Sequence, residues 1–513
     1  MVPRSAIAFT LFAAATALWA AAPSRWVYYS RNHKLQYRAD ARGNRIMDFS
    51  YAGYRGGGVR LPAAAVARTI KPEPGDATAR IQQAIDAVSA LTPNAEGLRG
   101  AVLLEPGVYE TGGTLTIAAG GVVLRGSGSG EKGTTLRMTG APHRLLQIRG
   151  EGTYQTVGHR AGIIDSYVPS GSESIEVDDA SGFHTGDTIL ISRPVTAEWI
   201  HFMGMDTLVR DGKKQTWIAA GSTIETDRVV RAVARNRIGL DVPLSDAIDG
   251  RYGASSGPGA NIVRYTFPGR IAEVGVEDLR VSAPLLDKPI SEPQYTFLAM
   301  NAVVDAWVKN VAIEETENGI SLGGTVKRVT LDSVQVRHSQ PHSGAAAPAD
   351  FSLSGTQVLL NRCSVDGEGT WPVVTQARVT GPIVILNFSG TATAGVSPHQ
   401  RWATGVLVDG ARLPNTNQRH PGVAFSNRKT AGSGHGWDVG WAVAWNVVTP
   451  YFLVQQPPGA MNWCIGCIGQ PITQAGVPDG VYDSLNSAVD PPSLYLAQLR
   501  ERLGDKAVAN IGY

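Results

Sequence analysis

The chain has 513 residues, and its 46 lysines and arginines nearly balance 44 acidic residues, so its formal charge is only +2. This balance argues against nucleic acid or an anionic membrane surface as a partner. Glycine (59) and proline (30) are frequent while charged residues make up only 18%, which excludes a coiled coil and charge-rich disorder. Hydrophobic residues, at 43%, suffice for a large core.

Residues 1–22 are predicted to be a secretory signal. Arg4 precedes the apolar run Ile7 to Leu18, and the small residues Ala20 to Ala22 provide a cleavage site. The run is too short for a stable membrane span, and no later stretch reaches about 18 uninterrupted apolar residues. We therefore expect a secreted or periplasmic protein without a membrane span. An N-terminal anchor that stays attached is the alternative.

The cysteines fit export better than metal binding. Cys464 and Cys467 form a C-x-x-C pair, but no second Cys or His pair stands at zinc-finger spacing, so no metal site is predicted there. A local disulfide or two packed thiols is expected instead. Cys363, within an apolar run, is predicted to be a buried strand residue.

Behind the signal, the sequence predicts one short helix and then short strands. Ile81, Ile85 and Val88 recur at helical spacing behind a potential cap, Asp76 or Thr78. The apolar runs at 101–109, 115–124 and 134–138 are separated by glycine turns, as is typical of strands.

These segments resemble those of the pectate-lyase-like, right-handed parallel β-helix superfamily. The likeness is carried by D-F from Asp48, I-Q-Q-A-I-D from Ile81, P-G-V-Y from Pro106 and L-R-G-S-G from Leu124. One departure is Y-R-G-G-G from Tyr54, where the superfamily has Gly-Asp-Gly. The resemblance implies an all-β fold, a right-handed parallel β-helix, and says almost nothing about the substrate.

Between Ser174 and Tyr265 the pattern changes to alternating apolar and polar residues, which predicts a small antiparallel β subdomain inserted in the solenoid. One loop of this insert is rich in aromatic and sulfur-containing side chains: Trp199, His201, Phe202, Met203 and Trp217. They are expected either to attach the insert to the coils or to form the wall of an overhanging cleft.

After the insert, one strand pattern recurs, with apolar residues at the first, fourth and sixth positions. Its first positions are Val276, Val308, Leu331 and Leu360, so the offsets are 32, 23 and 29 residues. Such intervals indicate one coil each with loops of variable length. An antiparallel sandwich would need two-residue N-G or D-G turns, which are scarce here.

Histidines concentrate in one fifth of the chain. Five of the ten lie between residues 338 and 438, namely His338, His342, His399, His420 and His435. This window also holds more basic than acidic residues, although the whole chain is nearly neutral. Together with the nearby arginines, these histidines predict a functional surface.

The predicted catalytic residues are His399, Arg401 and His435, with Arg401 as the clamp on a substrate carboxylate and one histidine as the base. Their segments, 397–405 and 427–437, are also similar to those of secreted bacterial β-helix proteins, a likeness that supports these candidates and supplies no substrate. The remaining predicted site residues bind substrate, and the two tryptophans among them stack on sugar rings: Arg428, Trp402, Trp437, His338, His342, Asn427 and Asp438.

The site predicts a polysaccharide lyase acting on a uronic-acid-containing polysaccharide by β-elimination. Elimination needs a group that neutralises the carboxylate, a base and an acid, and a His/Arg-rich patch supplies all three without a cofactor. An inverting glycoside hydrolase, which needs two carboxylates, and a non-catalytic carbohydrate-binding or adhesin scaffold remain open. Calcium remains possible at the nearest acidic candidates, which a solvated face explains better: Glu314, Glu315, Glu317 and Asp332.

The end of the chain predicts a terminal helix. Ser493 is its N-cap, Leu496, Leu499 and Leu503 share one face, and Gly504 follows the last turn, so we expect a lid over the last coil. The predicted divisions are a signal peptide (1–22), an N-terminal cap with the first coils (23–173), the inserted subdomain (174–265), central coils with the cleft (266–450), and a C-terminal coil with its capping helix (451–513). The oligomeric state is left open.

Overall fold

The structure is a computed structural model that describes residues 22–253, 259–286, 288–289, 291–341 and 348–513. The predicted signal peptide, up to residue 21, and His342 lie outside the described residues. Strands dominate, and most of them belong to three long parallel sheets, here called sheets A, B and C.

Sheet A consists of Val66–Ile70, Gly100–Leu104, Val122–Arg125, Ile271–Ser282, Val303–Glu314, Lys327–Asp332, Thr356–Asn361, Thr380–Leu386, Ala403–Asp409, Val439–Gly440, Val443–Trp445, Trp463–Ile465 and Val481–Asp483. Sheet B consists of Gly107–Thr111, Thr134–Met138, the second halves of the two long strands of sheet A, Gln335–Arg337 and Ser364–Asp366. Sheet C consists of Leu115–Ile117, Arg144–Arg149, Thr296–Asn301, Asn318–Leu322, Ala349–Leu353 and Trp371–Thr375, continued by Val423–Phe425, Val448–Val454 and Ile468–Pro471.

Each coil passes through sheet A, then sheet B, then sheet C, and the next coil repeats this order one strand further along. The recurring apolar pattern stacks in register as predicted: Val276 aligns with Val308, then Leu331, then Leu360. The last positions align likewise, from Val281 to Val365. These side chains are fully buried between the three sheets. The predicted parallel β-helix is therefore confirmed by its own strand register.

An antiparallel subdomain interrupts the coils, also as predicted. Its strands are Gln155–Gly162, Tyr167–Val168, Ser174–Glu176, Thr188–Pro194, Val209–Arg210, Lys213–Lys214, Thr223–Ala234, Arg237–Leu240, Ile248–Asp249 and Asn261–Thr266. The antiparallel pairing begins at Gln155, before the predicted boundary at Ser174. The reason is that strand Gln155–Gly162 is largely exposed and lacks the alternating pattern that marks the rest of the insert.

In the part of the chain that the structure describes, there are four short helices, Thr78–Ser89, Ala197–Phe202, Leu494–Leu503 and Asp505–Asn510, and two 3₁₀ turns, Tyr54–Gly56 and Gly250–Tyr252. Among the described residues, four short N-terminal and C-terminal strands complete the fold: Val27–Tyr29 pairs with Leu35–Tyr37, and Ala22–Pro23 pairs with Val489–Asp490. The first helix buries Ile81, Ile85 and Val88 as predicted, but its N-cap position is Ala77, and Asp76 accepts a hydrogen bond from Thr78 N.

The C-terminal helix Leu494–Leu503 has the predicted Ser493 cap, whose hydroxyl accepts a hydrogen bond from Leu496 N (3.2 Å). Its position differs from the expectation, because it lies beside sheet A, where Tyr495 N and Ser493 Oγ bond the buried Asp409. Leu503 is exposed as a consequence. Within the described residues, no helix has both the length and the apolar character needed to cross a membrane.

All three cysteines are buried free thiols. Cys363 belongs to the core between the sheets, as predicted. Cys464 and Cys467 are in contact, with 2.6 Å between their sulfur atoms.

Candidate active site

Two of the predicted catalytic histidines meet beyond the C-terminal ends of the sheet C strands. The imidazole rings of His399 and His435 have centroids 4.5 Å apart and planes at 85° to one another. His399 is held by its backbone, because its N–H donates to the carbonyl of Thr375 at the end of a sheet C strand (2.9 Å). His435 comes from a loop nearly forty residues later in the chain. The solenoid therefore joins side chains that the sequence places in separate segments.

The loop that carries His435 is closed at its neck by an antiparallel bridge between Asn427 and Trp437. Inside it, Arg428 N donates to the Gly436 carbonyl (2.8 Å), and His435 N donates to the Ala431 carbonyl (3.0 Å). Gly432 has a φ of 57°, and a Cβ atom there would stand 2.1 Å from His435 Nε2. Glycine at this position therefore lets the backbone pass directly beside the imidazole.

Arg428 lies next to the histidine pair. Its Nη1 donates to the His399 carbonyl (2.8 Å), and its guanidinium lies 5.7 Å from the ring centroid of Trp371. Burial lowers the pKa of Arg428, which Asp438 partly opposes. In the described part of the chain, no carboxylate comes within ion-pair distance of Arg428.

Arg401, the predicted carboxylate clamp, is occupied by protein oxygens. Its Nε donates to the Trp217 carbonyl (2.5 Å), its Nη1 to Gln400 Oε1, and its Nη2 to Ser433 Oγ (2.7 Å). These bonds tie the insert and the His435 loop to the coil of His399. The geometry therefore makes Arg401 a positioning residue, because few of its donors stay available for a ligand.

Both imidazoles have unusually low pKa values. Burial is the largest cause, followed by the positive charge of Arg428, and the pKa of each ring falls to about 4. Arg401 adds to the effect on both. At neutral pH the two rings are therefore uncharged, and each has a nitrogen able to accept a proton.

Asn427 and Asp438 stabilise the neck of the loop. Asp438 is fully buried and accepts hydrogen bonds from Ser426 N (2.8 Å) and Ser426 Oγ (2.9 Å), and burial raises the pKa of its carboxyl well above the usual range. Asn427 Oδ1 accepts a hydrogen bond from Lys429 N (2.9 Å). Asp438 is buried and therefore supports the loop instead of making the predicted direct contact with substrate, whereas Asn427 is half-buried.

Trp402 and Trp437 do not present the ring faces that sugar stacking requires. They are only 2% and 3% exposed, because side chains of the insert cover them. Trp402 Nε1 donates to Asp246 Oδ2 (2.9 Å), and Trp437 Nε1 donates to the Met203 carbonyl (3.2 Å). The aromatic loop of the insert thus attaches the subdomain to the coils, which was one of its two predicted roles.

His338 lies near the N-terminal ends of the sheet C strands. It follows sheet B strand Gln335–Arg337, and its Nε2 is 2.7 Å from Oδ1 of the buried Asp350, at the start of a sheet C strand. His399, in contrast, follows the other end of that sheet. His338 and the histidine pair therefore belong to different surfaces. The predicted contribution of His342 lies outside the described residues.

The acidic residues considered for calcium are engaged in part with arginines. Glu314 pairs with Arg280 (3.1 Å), and Asp332 pairs with Arg362 (2.8 Å). Among the residues that the structure describes, no group of three or more His, Cys, Asp or Glu side chains is arranged to hold a metal ion.

Sequence reasoning missed three polar side chains beside the pair. Gln376 Oε1 is 3.4 Å from His399 Nδ1 and accepts a hydrogen bond from Gln400 Nε2 (3.2 Å), while Gln376 Nε2 donates to Ser352 Oγ (2.9 Å). Each is a single polar residue in its own coil. Whether such residues align depends on the lengths of the loops between coils. The signal available in the sequence was that these polar residues recur one coil apart, at or after the ends of sheet C strands.

No family model and no curated protein matches the sequence. Solved structures with a similar chain path include the tailspike of Acinetobacter baumannii bacteriophage AP22 in complex with a capsular saccharide, at 12% identity and a TM-score of 0.36, where the match covers 77% of this chain and 51% of the tailspike. The chain therefore spans about half the length of that tailspike.

A second similar structure is a polygalacturonase from Erwinia carotovora, at 10% identity and a TM-score of 0.33, with 83% of this chain and 96% of that enzyme covered. A third is the tailspike of E. coli bacteriophage HK620 with a pentasaccharide, at 10% identity and a TM-score of 0.37, with 89% and 68% covered. The chain itself, by its own strand register, is a parallel β-helix protein with an inserted antiparallel subdomain.

Proposed function

We propose that this protein is a secreted polysaccharide lyase that cleaves a uronic-acid-containing polysaccharide by β-elimination at the His399–His435 pair. The observation that carries the proposal is the contact between two uncharged imidazole rings beside Arg428, whose Nη1 bonds the backbone carbonyl of His399 and with which no carboxylate forms an ion pair in the described part of the chain. The positive charge of Arg428 has no ion-pair partner within this cluster, and the carboxylate of an anionic substrate would supply one.

In this mechanism Arg428 binds the substrate carboxylate. Its positive charge stabilises the electron density that moves onto the carboxylate when the neighbouring carbon loses its proton. A planar guanidinium suits this role because it can bond both carboxylate oxygens at once.

One imidazole of the pair takes the carbon-bound proton. The electron pair of that C–H bond becomes a carbon–carbon double bond, and the glycosidic oxygen leaves with the electrons of its bond to carbon. The leaving oxygen then receives a proton, which the newly charged imidazolium can return. No water is consumed, and each cleavage yields one unsaturated end.

The low pKa of the pair fits this sequence of events. A base with a pKa of about 4 is weak, but a bound carboxylate would offset the charge of Arg428 and so raise the pKa toward the working pH. The substrate would therefore activate the base on binding.

A glycoside hydrolase is the second candidate, and a different surface favours it. A groove of about 620 Å³ beside His338 is lined by four carboxylates from the two coils that flank the coil of His338, namely Glu314, Glu315, Asp366 and Glu368. Hydrolysis with inversion uses two carboxylates on either side of the bond. This alternative places the chemistry beside His338, near the N-terminal ends of the sheet C strands.

The absorbance of unsaturated products separates the two candidates. Purified protein is incubated with polygalacturonate, alginate, heparan-type and glucuronan polymers, together with a His399→Ala variant and a Glu368→Gln variant. The lyase proposal expects new absorbance on at least one polymer, lost in His399→Ala and retained in Glu368→Gln. New reducing ends without absorbance, lost only in Glu368→Gln, would overturn it in favour of the hydrolase.

A further inference from the structure

We propose that the crevice between the insert and the coils binds the sugar units next to the cleaved bond, and that it selects a chain with more than one negative charge. The inference rests on the proposed function, because it takes the His399–His435 pair as the point of cleavage. The crevice has a volume of about 340 Å³. The insert contributes Tyr154 and Glu225 to its walls, and the coils contribute Gly324, Ser354 and Arg378.

The crevice leads directly to the histidine pair. In sheet C, Leu322 aligns with Leu353, and Leu353 aligns with Thr375. Gly324, Ser354 and Ala377 follow these positions in successive coils and line the crevice, so it runs across the strands. His399 stands in the next coil of the same row, because its N–H bonds the Thr375 carbonyl (2.9 Å).

A row of hydrogen-bonding side chains continues this path. Ser352, Gln376 and Gln400 are linked to one another, and Gln376 also reaches His399. Strands of neighbouring coils are about 4.8 Å apart, so the row offers a polar group at regular short intervals. Side-chain amides and hydroxyls at such intervals suit the hydroxyl groups of an extended sugar chain.

Two cations behind the crevice offset the charge of one of its two carboxylates. The Asp227 carboxylate, which lines the crevice, is bonded by both Lys327 Nζ (2.7 Å) and Arg270 Nη1 (3.1 Å). Neither of these two cations lines the crevice itself. Arg378 lies at the rim and has no carboxylate within ion-pair distance among the described residues, whereas Glu225 is the second carboxylate of the lining.

Arg378 is therefore a cation at the rim of the crevice that no carboxylate neutralises among the described residues, and a sugar carboxylate or sulfate would pair with it. The crevice therefore fits a charged unit that does not react, next to the unit held by Arg428.

The test uses two variants at the rim, since Arg270 is part of the fold. Arg378→Gln removes the exposed charge, whose Nη1 donates to the Thr223 carbonyl (3.1 Å), and Ala377→Trp fills the crevice without changing charge. The matched control is Arg68→Gln, an exposed arginine that likewise donates one bond to a carbonyl, on the first strand of sheet A. Each is assayed with short and long oligomers of the cleaved uronate polymer, and binding of the same oligomers is measured by calorimetry.

We expect both crevice variants to raise KM for long oligomers about tenfold, with little change for the shortest cleavable oligomer and none in Arg68→Gln. Equal effects on short and long oligomers, or no effect on either, would overturn the inference while leaving the lyase proposal intact. A wild-type protein that cleaves no uronate polymer would overturn the proposed function. Loss of long-oligomer binding in Ala377→Trp would then still support the crevice as a binding site, and unchanged binding would overturn both.

Discussion

At the scale of single residues, the chemistry of the site follows from the absence of negative charge around the two imidazoles, judged over the described residues. Burial lowers the pKa of His399 and His435, and the positive charges of Arg428 and Arg401 lower it further. Each ring is therefore ready to accept a proton, and a bound carboxylate is the group that would strengthen it as a base.

Removal of either imidazole should abolish most of the activity. His399→Ala and His435→Ala are each expected to lower kcat about 10²–10⁴-fold, because general acid–base catalysis contributes about that factor. His184→Ala is the control, since the side chain of His184 is 76% exposed in the insert. Initial rates on the cleaved polymer measure the effect, and a variant pair with wild-type rates would remove the histidines from the mechanism.

The low pKa values can be measured directly by NMR titration of the imidazole signals. Both rings are expected to titrate near pH 4 in the free protein, and Arg428→Gln should raise both midpoints, because it removes a nearby positive charge. Midpoints close to the ordinary value of 6.5 would contradict the arrangement.

The same pKa shift affects how the stability of the fold depends on pH. Since the folded-state pKa is depressed, the unfolded chain binds more protons between pH 6.5 and about 4. The contribution of this pair to the free energy of unfolding should therefore fall as the pH drops through this interval, by comparison with a variant that lacks both imidazoles.

The two arginines should respond differently to replacement by lysine. Arg428→Lys is expected to lower kcat/KM by about tenfold to a hundredfold, because hydrogen bonds to charged groups contribute about 1.5–3 kcal/mol and lysine lacks the planar fork. Arg401→Lys should mainly lower the melting temperature, because Arg401 joins Trp217 and Ser433 to the coil of His399. Steady-state kinetics and thermal unfolding of both variants check the difference, and the reverse pattern would restore Arg401 as the clamp.

At the scale of elements, the docking of the insert fixes the shape of the site. Trp217 packs near Trp199 and Trp402, with ring centroids 5.0 and 6.2 Å away. Asp246 accepts hydrogen bonds from Trp402 and Trp441 and pairs with Arg193 (3.0 Å). The insert is thus held on the coils by buried aromatic rings around one carboxylate.

Trp402→Ala should therefore destabilise the fold, and it should not raise KM, because the buried ring does not stack on sugar. A loss of about 3–5 kcal/mol in the free energy of unfolding is expected, as for a large buried aromatic residue. Phe202→Ala, at a side chain that is 37% exposed in the same aromatic loop, is the control. Denaturant unfolding measures both. Unchanged stability combined with a raised KM would favour the stacking role after all.

The coils could be predicted from the sequence because burial leaves a periodic trace. Leu331 and Leu360 point into the same core, and every coil repeats that constraint. The insert was visible for the same reason, through its change to alternating residues. Its first strand was missed because exposed strands carry no such trace.

The contacts of the site were harder to predict. Arg401 bonds the carbonyl of Trp217, which is 184 residues away in the chain, and nothing in either segment indicates the other. Trp402 and Trp437 are likewise buried by a subdomain that is distant in sequence. Residue type and local spacing were therefore enough to predict the histidine pair. The accessibility of Arg401, Trp402 and Trp437 depended on the tertiary fold.

At the scale of the whole molecule, the solenoid acts as a rigid frame for separate segments. The insert leaves the coils after strand Arg144–Arg149 and returns before Ile271–Ser282, yet its aromatic loop lies against residues near 402 and 437. It therefore spans several coils along one side of the stack. This arrangement gives the site a floor made by the coils and a wall made by the insert.

The central claim is that the bond is broken by elimination and not by addition of water. Digestion of the cleaved polymer in water labelled with heavy oxygen, followed by mass spectrometry of the products, tests it most directly. The account predicts products that carry no label at the new ends, with each pair of fragments containing one unsaturated ring and no added water. Incorporation of one heavy oxygen atom per cleavage would contradict it, because hydrolysis transfers the oxygen of water to the product.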